Sequence, residues 1–193
     1  MAGMTAAGMA RLSPGRRAWS GWHPPGAASA KVLAFATGRG PDIVCDLEGR
    51  RPLVRDGDGD VAVLGCRDAA ARERRSRQPL PPDMLVVDRD QVRQAGAEAA
   101  ARQTMTFLTR DGGPPDGFWI HLDADVFDQT IMQAADDPRP DGLTWDDGMA
   151  VLRTAIASDR AAGLQVAVYN PDIDTDGSNG RELAAAIRAA LAS

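Results

Sequence analysis

Cysteine, lysine and long apolar runs are scarce in this chain of 193 residues, and each shortage excludes a class of protein. Two cysteines, Cys45 and Cys66, are too few for a disulfide framework, which favours a cytoplasmic protein. No apolar run approaches the length that spans a membrane. The net charge of -5 argues against nucleic acid as a partner, because a duplex-binding face must be basic. No Gly-x-Gly-x-x-Gly or Walker loop is present, which excludes the common nucleotide cofactors.

Acidic residues are missing from residues 1–41, where basic residues recur among Ala, Gly, Ser and Pro. We interpret residues 1–24 as an irregular or mobile N-terminal segment and residues 25–193 as the folded domain. Arg16 and Arg17 hint at a twin-arginine export signal, but the apolar stretch that follows them is too weak for one.

The stretch GFWIHLDADVFD, residues 117–128, is the strongest candidate for a functional site. Its apolar first half predicts a buried parallel strand, and Asp123 and Asp125 follow where that strand ends. Residues i and i+2 of a strand point to the same side, so we expect both carboxylates at the crevice beyond the strand. Two carboxylates at one point repel unless a shared proton, an arginine or a hard cation such as Mn²⁺ or Mg²⁺ relieves them. We favour the cation.

Strand and helix patterns alternate along the chain. Apolar runs predict strands at residues 61–65, 84–87 and 164–169, besides the central one. Helical patterns cover residues 28–37, 42–48 and 91–109. They recur after Thr144, which is predicted to form a capping box with Asp147, and after Ser178, which is predicted to cap the last helix. This order predicts a three-layer αβα domain with a mainly parallel sheet and helices on both faces.

Several motifs follow one another in the second half of the chain. Asp-x-Asp-x-x-Asp occupies residues 123–128, Met-x-Ala residues 132–134 and Gly-Leu-Thr residues 142–144, and a later strand closes in Asn-Pro at residues 170–171. Together these motifs resemble the C-terminal part of the arginase and agmatinase family of ureohydrolases. The resemblance begins near Pro25 and implies an arginase-like α/β fold that is incomplete at its N-terminus.

The resemblance implies a manganese site. The family uses a pair of manganese ions to activate water for the hydrolysis of guanidine-like C–N bonds, and its Asp-x-Asp supplies ligands. Carried over to this chain, the ligands are Asp123 and Asp125. The family's other ligands come from Gly-Gly-Asp-His and Asp-Ala-His-x-Asp segments, neither of which occurs in this sequence. The chain therefore supplies only part of the ligand set for the two expected ions.

The resemblance also assigns residues around these ligands. Asp128 is implied to fix the loop behind them. His121 shares the strand parity of the aspartates and is either a third ligand or a satisfied core histidine, and we favour a place behind the ligands. Asn170 and Asp172 are implied to lie at the rim where substrate enters. Arginases carry a Glu that helps hold the guanidinium group where this chain has Val168, which disfavours arginine or agmatine as substrate.

Two other charged segments have more than one interpretation. The segment that contains Arg67, Asp68 and Glu73 is similar to the family's Gly-x-Arg-Asp segment, whose role is structural or at subunit contacts. It also fits a turn capped by Asp68 and an arginine-rich solvated helix, and both interpretations can hold together. Residues 172–177, DIDTDG, nearly spell a calcium-binding loop, but Glu182 falls one place before the position of the bidentate ligand. We therefore interpret that loop as part of the substrate rim, with a weak calcium alternative.

Two classes of function remain open. The first is a manganese-dependent ureohydrolase that hydrolyses guanidine or amidine C–N bonds of a small linear substrate. The second is a truncated, non-catalytic arginase-like subunit for binding or assembly, and the resemblance also leaves a homo-oligomer open. A manganese-dependent glycosyltransferase that uses Asp-x-Asp is a weaker alternative. A phosphatase with Asp123 as nucleophile is disfavoured because it expects a downstream lysine, and the only lysine is Lys31.

Overall fold

The computed structural model describes residues 4–8, 32–46, 54, 59–67, 81–113 and 117–192, with the backbone alone at residues 4–8. Within this part of the chain the strands are β1 (Met4–Gly8), β2 (Val61–Cys66), β3 (Leu85–Asp88), β4 (Phe118–Asp123) and β5 (Ala161–Ala167). The helices are α1 (Val32–Ala36), α2 (Asp42–Cys45), α3 (Arg89–Ala95), α4 (Ala97–Leu108), α5 (Trp145–Ile156) and α6 (Ser178–Leu191). Each of these helices is too short or too polar to cross a bilayer.

The five strands form one sheet in the order β3-β2-β1-β4-β5. Strand β2 is parallel to β3, and β4 is parallel to β5. Strand β1 lies between these two pairs and is antiparallel to both of its neighbours. The other four strands therefore run in one direction, which confirms the prediction of an α/β domain with a mainly parallel sheet.

Strand β1 corrects part of the expectation for the N-terminus. The sequence predicts an irregular segment over residues 1–24, yet residues 4–8 form the middle strand of the sheet. Thr5 pairs with Val63 on one side and with His121 on the other. The backbone N–H and C=O groups of β2 and β4 need hydrogen-bond partners, and β1 supplies them. A strand of five residues carries too weak a residue pattern to be predicted from the sequence. The rest of residues 1–24 lies outside the described part, and the domain boundary after residue 24 stays a prediction.

Helices pack on both faces of the sheet at β2. Val61 and Val63 point to one face, where they pack with Leu33 of α1. Ala62 and Leu64 alternate with them and point to the opposite face, where they join the larger core with α3 and α4. This arrangement confirms the predicted helix–sheet–helix layering.

Gly96 divides the helix predicted over residues 91–109 into α3 and α4. Its φ of 85° lies in the left-handed region, which glycine adopts without steric cost. Helix α3 begins with a capping box, in which Asp88 accepts from the Gln91 backbone and Gln91 accepts from the Asp88 backbone. The change of direction at Gly96 lets both short helices pack against β2.

The first turn of helix α5 packs against Phe127, which follows the two aspartates at the end of β4. The predicted capping box is confirmed: Thr144 accepts from the Asp147 backbone, and Asp147 accepts from the Thr144 backbone. The ring of Phe127 lies 4.3 Å from that of Trp145 in the first turn. Gly148 leaves room for the Phe127 ring, which occupies the space that a Cβ would need. These contacts fix the chain that leaves the aspartate pair.

Candidate functional site

Asp123 and Asp125 lie at the carboxyl end of β4, the edge at which open α/β sheets bind ligands. Asp123 is the last residue of the strand, whereas Asp125 belongs to a 3₁₀ turn, Ala124–Val126. His121 and Asp123 therefore point to the same face of the strand. Asp125 lies beyond the strand, where this alternation no longer applies. The turn nevertheless leaves both carboxylates buried and close enough for their charges to interact.

The Asp123 carboxylate is hydrogen-bonded to a histidine, which is hydrogen-bonded in turn to a glutamine. His121 Nε2 lies 2.8 Å from Asp123 Oδ1, and Gln165 Nε2 lies 2.6 Å from His121 Nδ1. Gln165 lies on β5 directly opposite His121 in the parallel register. Both ring nitrogens of His121 are thus satisfied. No local sequence pattern pointed to Gln165, because the register of two strands places it beside a residue that is far away along the chain.

Asp125 is buried, and one of its carboxylate oxygens lacks a hydrogen-bond donor among the described residues. Its exposed fraction is 6%, and no described residue donates a hydrogen bond to its Oδ1. Burial and, after it, the charge of Asp123 raise the pKa of Asp125 from 3.8 to about 6. The Arg67 guanidinium offsets part of this effect, although its hydrogen bond goes to the backbone carbonyl of Asp125. The pair therefore forms a buried site that favours a proton or a positive ligand.

Arg67 joins the turn at Asp125 to the segment that precedes α5. Besides the Asp125 carbonyl, its guanidinium donates to the carbonyl oxygens of residues 139 and 140 over 3.0 and 3.1 Å. Asp68 and Glu73, which the resemblance groups with Arg67, lie outside the described residues. These contacts give Arg67 a structural role of the kind that the resemblance implies.

Asp128 holds both ends of the loop over residues 128–142. Its Oδ1 accepts from the backbone and hydroxyl of Thr130 over 2.9 and 2.6 Å, and its Oδ2 accepts from Gly142 N over 3.1 Å. These hydrogen bonds, led by the one from the Thr130 hydroxyl, lower the pKa of Asp128 to about 2. Its carboxylate is fully engaged in shaping the loop, and its place behind a metal site stays a prediction.

Asn170 connects the loop after β5 to the loop after β4. Its Nδ2 donates to Asp136 Oδ1 over 2.8 Å, and its backbone N donates to Ala134 O over 2.8 Å. Its Oδ1 accepts from the backbone of Asp172, whose side chain is exposed. A substrate role for Asn170 and Asp172 stays a prediction.

The loop that nearly spells a calcium motif is organised around helix α6 instead. Asp174 accepts from the Tyr169 hydroxyl over 2.7 Å and from the backbones of Asn179 and Gly180 over 3.2 and 2.8 Å. It therefore caps the first turn of α6, and the expectation that Ser178 provides the cap is wrong. A side chain that already accepts from these donors has little capacity left for calcium.

Val168 ends β5 with a strained backbone. Its φ of 68° lies in the left-handed region, which β-branched residues rarely enter. The strand therefore stops at Ala167, before the predicted end at residue 169. The carbonyl of Val168 accepts from Asp136 N over 3.0 Å, so a contact to the loop after β4 holds the residue in this conformation.

Replacing Val168 by glycine is expected to change the free energy of unfolding by no more than about 0.5 kcal/mol, although the substitution removes a half-buried side chain. Relief of the left-handed strain, roughly 1–2 kcal/mol, offsets the loss of that side chain and the added chain entropy. Asp159→Gly is the matched control, since Asp159 has a φ of 55° but is exposed and of a type that tolerates this region. Urea denaturation measures both variants. A Val168→Gly protein that is more than about 1 kcal/mol less stable than Asp159→Gly would contradict the strain.

A model of the arginase family matches residues 50–193. The chain belongs to the arginase family. This confirms the resemblance. The arginase family is manganese-dependent, and membership of it implies a small-molecule substrate. No curated protein matches the chain.

Solved structures of arginase-family members share the fold. Arginase from Bacillus subtilis superposes with a TM-score of 0.70 at 19% identity, over 83% of this chain and 52% of that one. Entamoeba histolytica arginase in complex with L-ornithine superposes with a TM-score of 0.64 at 18% identity, over 82% of this chain and 50% of that one. Agmatine ureohydrolase of Thermoplasma volcanium superposes with a TM-score of 0.55 at 19% identity, over 74% of this chain and 45% of that one. The chain thus spans about half the length of the structures that it matches.

Proposed function

We propose that Asp123 and Asp125 bind Mn²⁺ and that this site hydrolyses a guanidine or amidine C–N bond in a small linear substrate. One observation carries the proposal. Among the described residues, no donor reaches the buried Oδ1 of Asp125, which lies beside a second buried carboxylate. Membership of a manganese-dependent family supports the choice of ion.

The donor atoms fit a hard divalent cation. Manganese and magnesium prefer carboxylate oxygens, and a cation would relieve the repulsion between Asp123 and Asp125. The fit is partial, since no group of three or more His, Cys, Asp or Glu side chains in the described ranges is arranged to hold a metal ion. In this proposal the remaining ligands come from another chain.

The chain's own residues have distinct parts in the proposed reaction. When bound, the cation supplies Lewis-acid activation of the water that attacks the guanidine or amidine carbon. Asp123 and Asp125 hold the cation at the end of β4. Asp128 keeps the neighbouring loop in place, and Asn170 and Asp172 contact the substrate at the rim.

A non-catalytic arginase-family subunit for binding or assembly is the second candidate. The observation that favours it is the partial ligand set, since no group of three or more His, Cys, Asp or Glu side chains in the described part of the chain is arranged to hold a metal ion. Such a chain keeps the family fold and acts with a partner.

Metal content and hydrolysis test these candidates together. Purified protein is equilibrated with Mn²⁺, dialysed, analysed for bound manganese, and assayed with arginine, agmatine and formimidoylglutamate for release of urea, ammonia or formamide. Asp123→Asn removes one proposed ligand charge. Asp159→Asn is the matched control, because it removes one exposed charge in a left-handed turn that asparagine also tolerates.

We expect the wild type and Asp159→Asn to retain stoichiometric Mn²⁺ and Asp123→Asn to lose it. Hydrolysis of any substrate by the manganese-loaded wild type, lost in Asp123→Asn, supports the ureohydrolase. Retained manganese without hydrolysis of the panel favours the non-catalytic subunit. Absence of manganese from the wild type would overturn the proposed site.

A further inference from the structure

Strand β5 forms one edge of the sheet, and its outer side is open. In the strand order β5 adjoins β4 alone, and no described residue pairs with the outer backbone of Ala161–Ala167. A strand at an edge presents a row of N–H and C=O groups that can pair with another strand. The sequence of β5, AAGLQVA, contains neither a charged residue nor a proline, which are the residues that commonly prevent such pairing.

The opposite edge of the sheet is protected. Strand β3 has four residues, ends at Asp88 and leads directly into α3. Short edge strands and charged residues both oppose pairing with another molecule. Of the two edges, only β5 is therefore suited to pairing, and two molecules that each use one edge form a closed pair rather than an open chain.

The side chains beside β5 are apolar on both faces of the sheet. On one face the ring of Trp119 reaches across Gly163 and is 39% exposed. On the other face Leu164 packs against the larger core, and Val166 is 40% exposed. A partner that covers both faces must bring apolar groups on each of them. A second copy of the chain does so with the same residues.

The regular part of β5 is residues 163–167. The register with β4 advances by two residues on β5 but by one on β4 at this strand's start, which leaves Ala162 as a bulge. Residues that face each other across two strands point to the same face of the sheet. In a symmetric antiparallel pair, one residue must therefore face its own copy, and pairing of all five regular residues places Gln165 at that position.

We infer that two copies of this chain form a homodimer by antiparallel pairing of residues 163–167 of β5, centred on Gln165. In this register Leu164 faces Val166 of the partner subunit, and the reverse pair forms on the other side of the axis. Apolar pairs of this kind stabilise adjacent strands, and the register brings no like charges together. The small Gly163 faces Ala167 of the partner subunit, which leaves room beside the Trp119 ring.

This inference is independent of the proposed function. Because the two β5 strands run in opposite directions, the carboxyl ends of the two β4 strands lie at opposite ends of the dimer. The pairing therefore neither needs nor supplies ligands for a metal ion at Asp123 and Asp125.

Val166→Lys tests the interface, because lysine on an edge strand opposes pairing and replaces both apolar pairs across the axis. The side chain of Val166 is exposed in the single chain, so lysine is tolerated there without pairing. Val44→Lys is the matched control, since Val44 is exposed to the same degree on α2, which packs beside α1 at β2. Sedimentation velocity over a range of concentrations measures the dissociation constant of each protein.

A cysteine at the centre of the pairing gives a second test that does not depend on the lysine variant. Gln165→Cys places two thiols on facing residues, whose Cα atoms lie about 4.5–5.5 Å apart and within reach of a disulfide. Ala167→Cys is the control on the same face, because its copy lies four residues further along the partner strand, about 13 Å away. Cys45 and Cys66 are buried, so the added thiol is the accessible one.

We expect the wild type to form a reversible dimer in the micromolar range, Val166→Lys to dissociate about tenfold more readily, and Val44→Lys to match the wild type. Mild oxidation should convert Gln165→Cys to a covalent dimer well before Ala167→Cys. A wild type that stays monomeric or forms open polymers would overturn the inference. So would equal weakening by the two lysine variants, or equal cross-linking of the two cysteine variants.

Discussion

Replacing Asp125 by asparagine is expected to stabilise the metal-free protein by about 2 kcal/mol at pH 8 and to remove the proposed Mn²⁺ binding. The rise of the Asp125 pKa from 3.8 to about 6 corresponds to about 3 kcal/mol of disfavoured ionisation in the folded state. Residual solvent screening and the unmet hydrogen bond of the amide reduce the gain. If Asp125→Asn raises the free energy of unfolding and abolishes Mn²⁺ binding, the role of Asp125 is to bind the ion and not to stabilise the fold.

Asp125 and Asp128 make the free energy of unfolding depend on pH in opposite directions. The folded protein binds a proton at Asp125 more tightly than the unfolded chain does, so the contribution of Asp125 to stability increases as the pH falls from about 7 to about 4. Asp128 acts in the opposite sense, because its lowered pKa gives stability that is present above about pH 4 and lost as the pH approaches 2. The Asp125→Asn variant should therefore lose the rise in stability between pH 7 and 4.

Urea denaturation at several pH values, with and without Mn²⁺, measures both effects of Asp125→Asn. Ligand binding to the folded state alone raises the stability of the wild type, and the variant should show no such rise. Asp159→Asn is the control for loss of an exposed charge. If Asp125→Asn destabilised the metal-free protein at pH 8, Asp125 would be a structural acceptor and the metal site would lose its main support.

Gly142→Ala is expected to destabilise the protein by about 3–5 kcal/mol. A Cβ at this position would overlap the backbone nitrogen of Asp128 and the carbonyl group of Phe127. Those backbone atoms cannot rotate away, because Asp128 N donates to Leu143 O over 3.0 Å and Leu143 N donates to Val126 O over 2.9 Å. Adding the methyl group must break this pairing, and overpacking against fixed atoms lies at the costly end of such changes.

Gly163→Ala is the matched control for this prediction. The added Cβ would overlap Trp119, which is a side chain with 39% of its surface exposed. The indole can turn toward solvent, and alanine recovers some backbone entropy, so we expect a cost of about 1 kcal/mol or less. Chemical denaturation compares the two variants. Equal costs at the two positions would show that the segment before α5 is free to move.

Local patterns predicted most of the framework. The apolar runs of β2, β3 and β4 and the capping box at Thr144 depend on neighbouring residues, so they are visible in the sequence. The division of a helix at Gly96 and the early end of β5 at Val168 depend on two backbone angles that no local pattern specified. The antiparallel position of β1 depends on strand edges contributed by distant parts of the chain.

The order of motifs in the sequence was enough to place the chain in the arginase family and to single out Asp123 and Asp125. Only the tertiary structure showed that Asp125 leaves the strand for a turn, that its Oδ1 lacks a donor among the described residues, and that Gln165 reaches His121. The reason is physical: residue type and spacing record which groups are near along the chain, whereas burial and hydrogen bonding depend on strand register and packing between segments that are far apart in sequence.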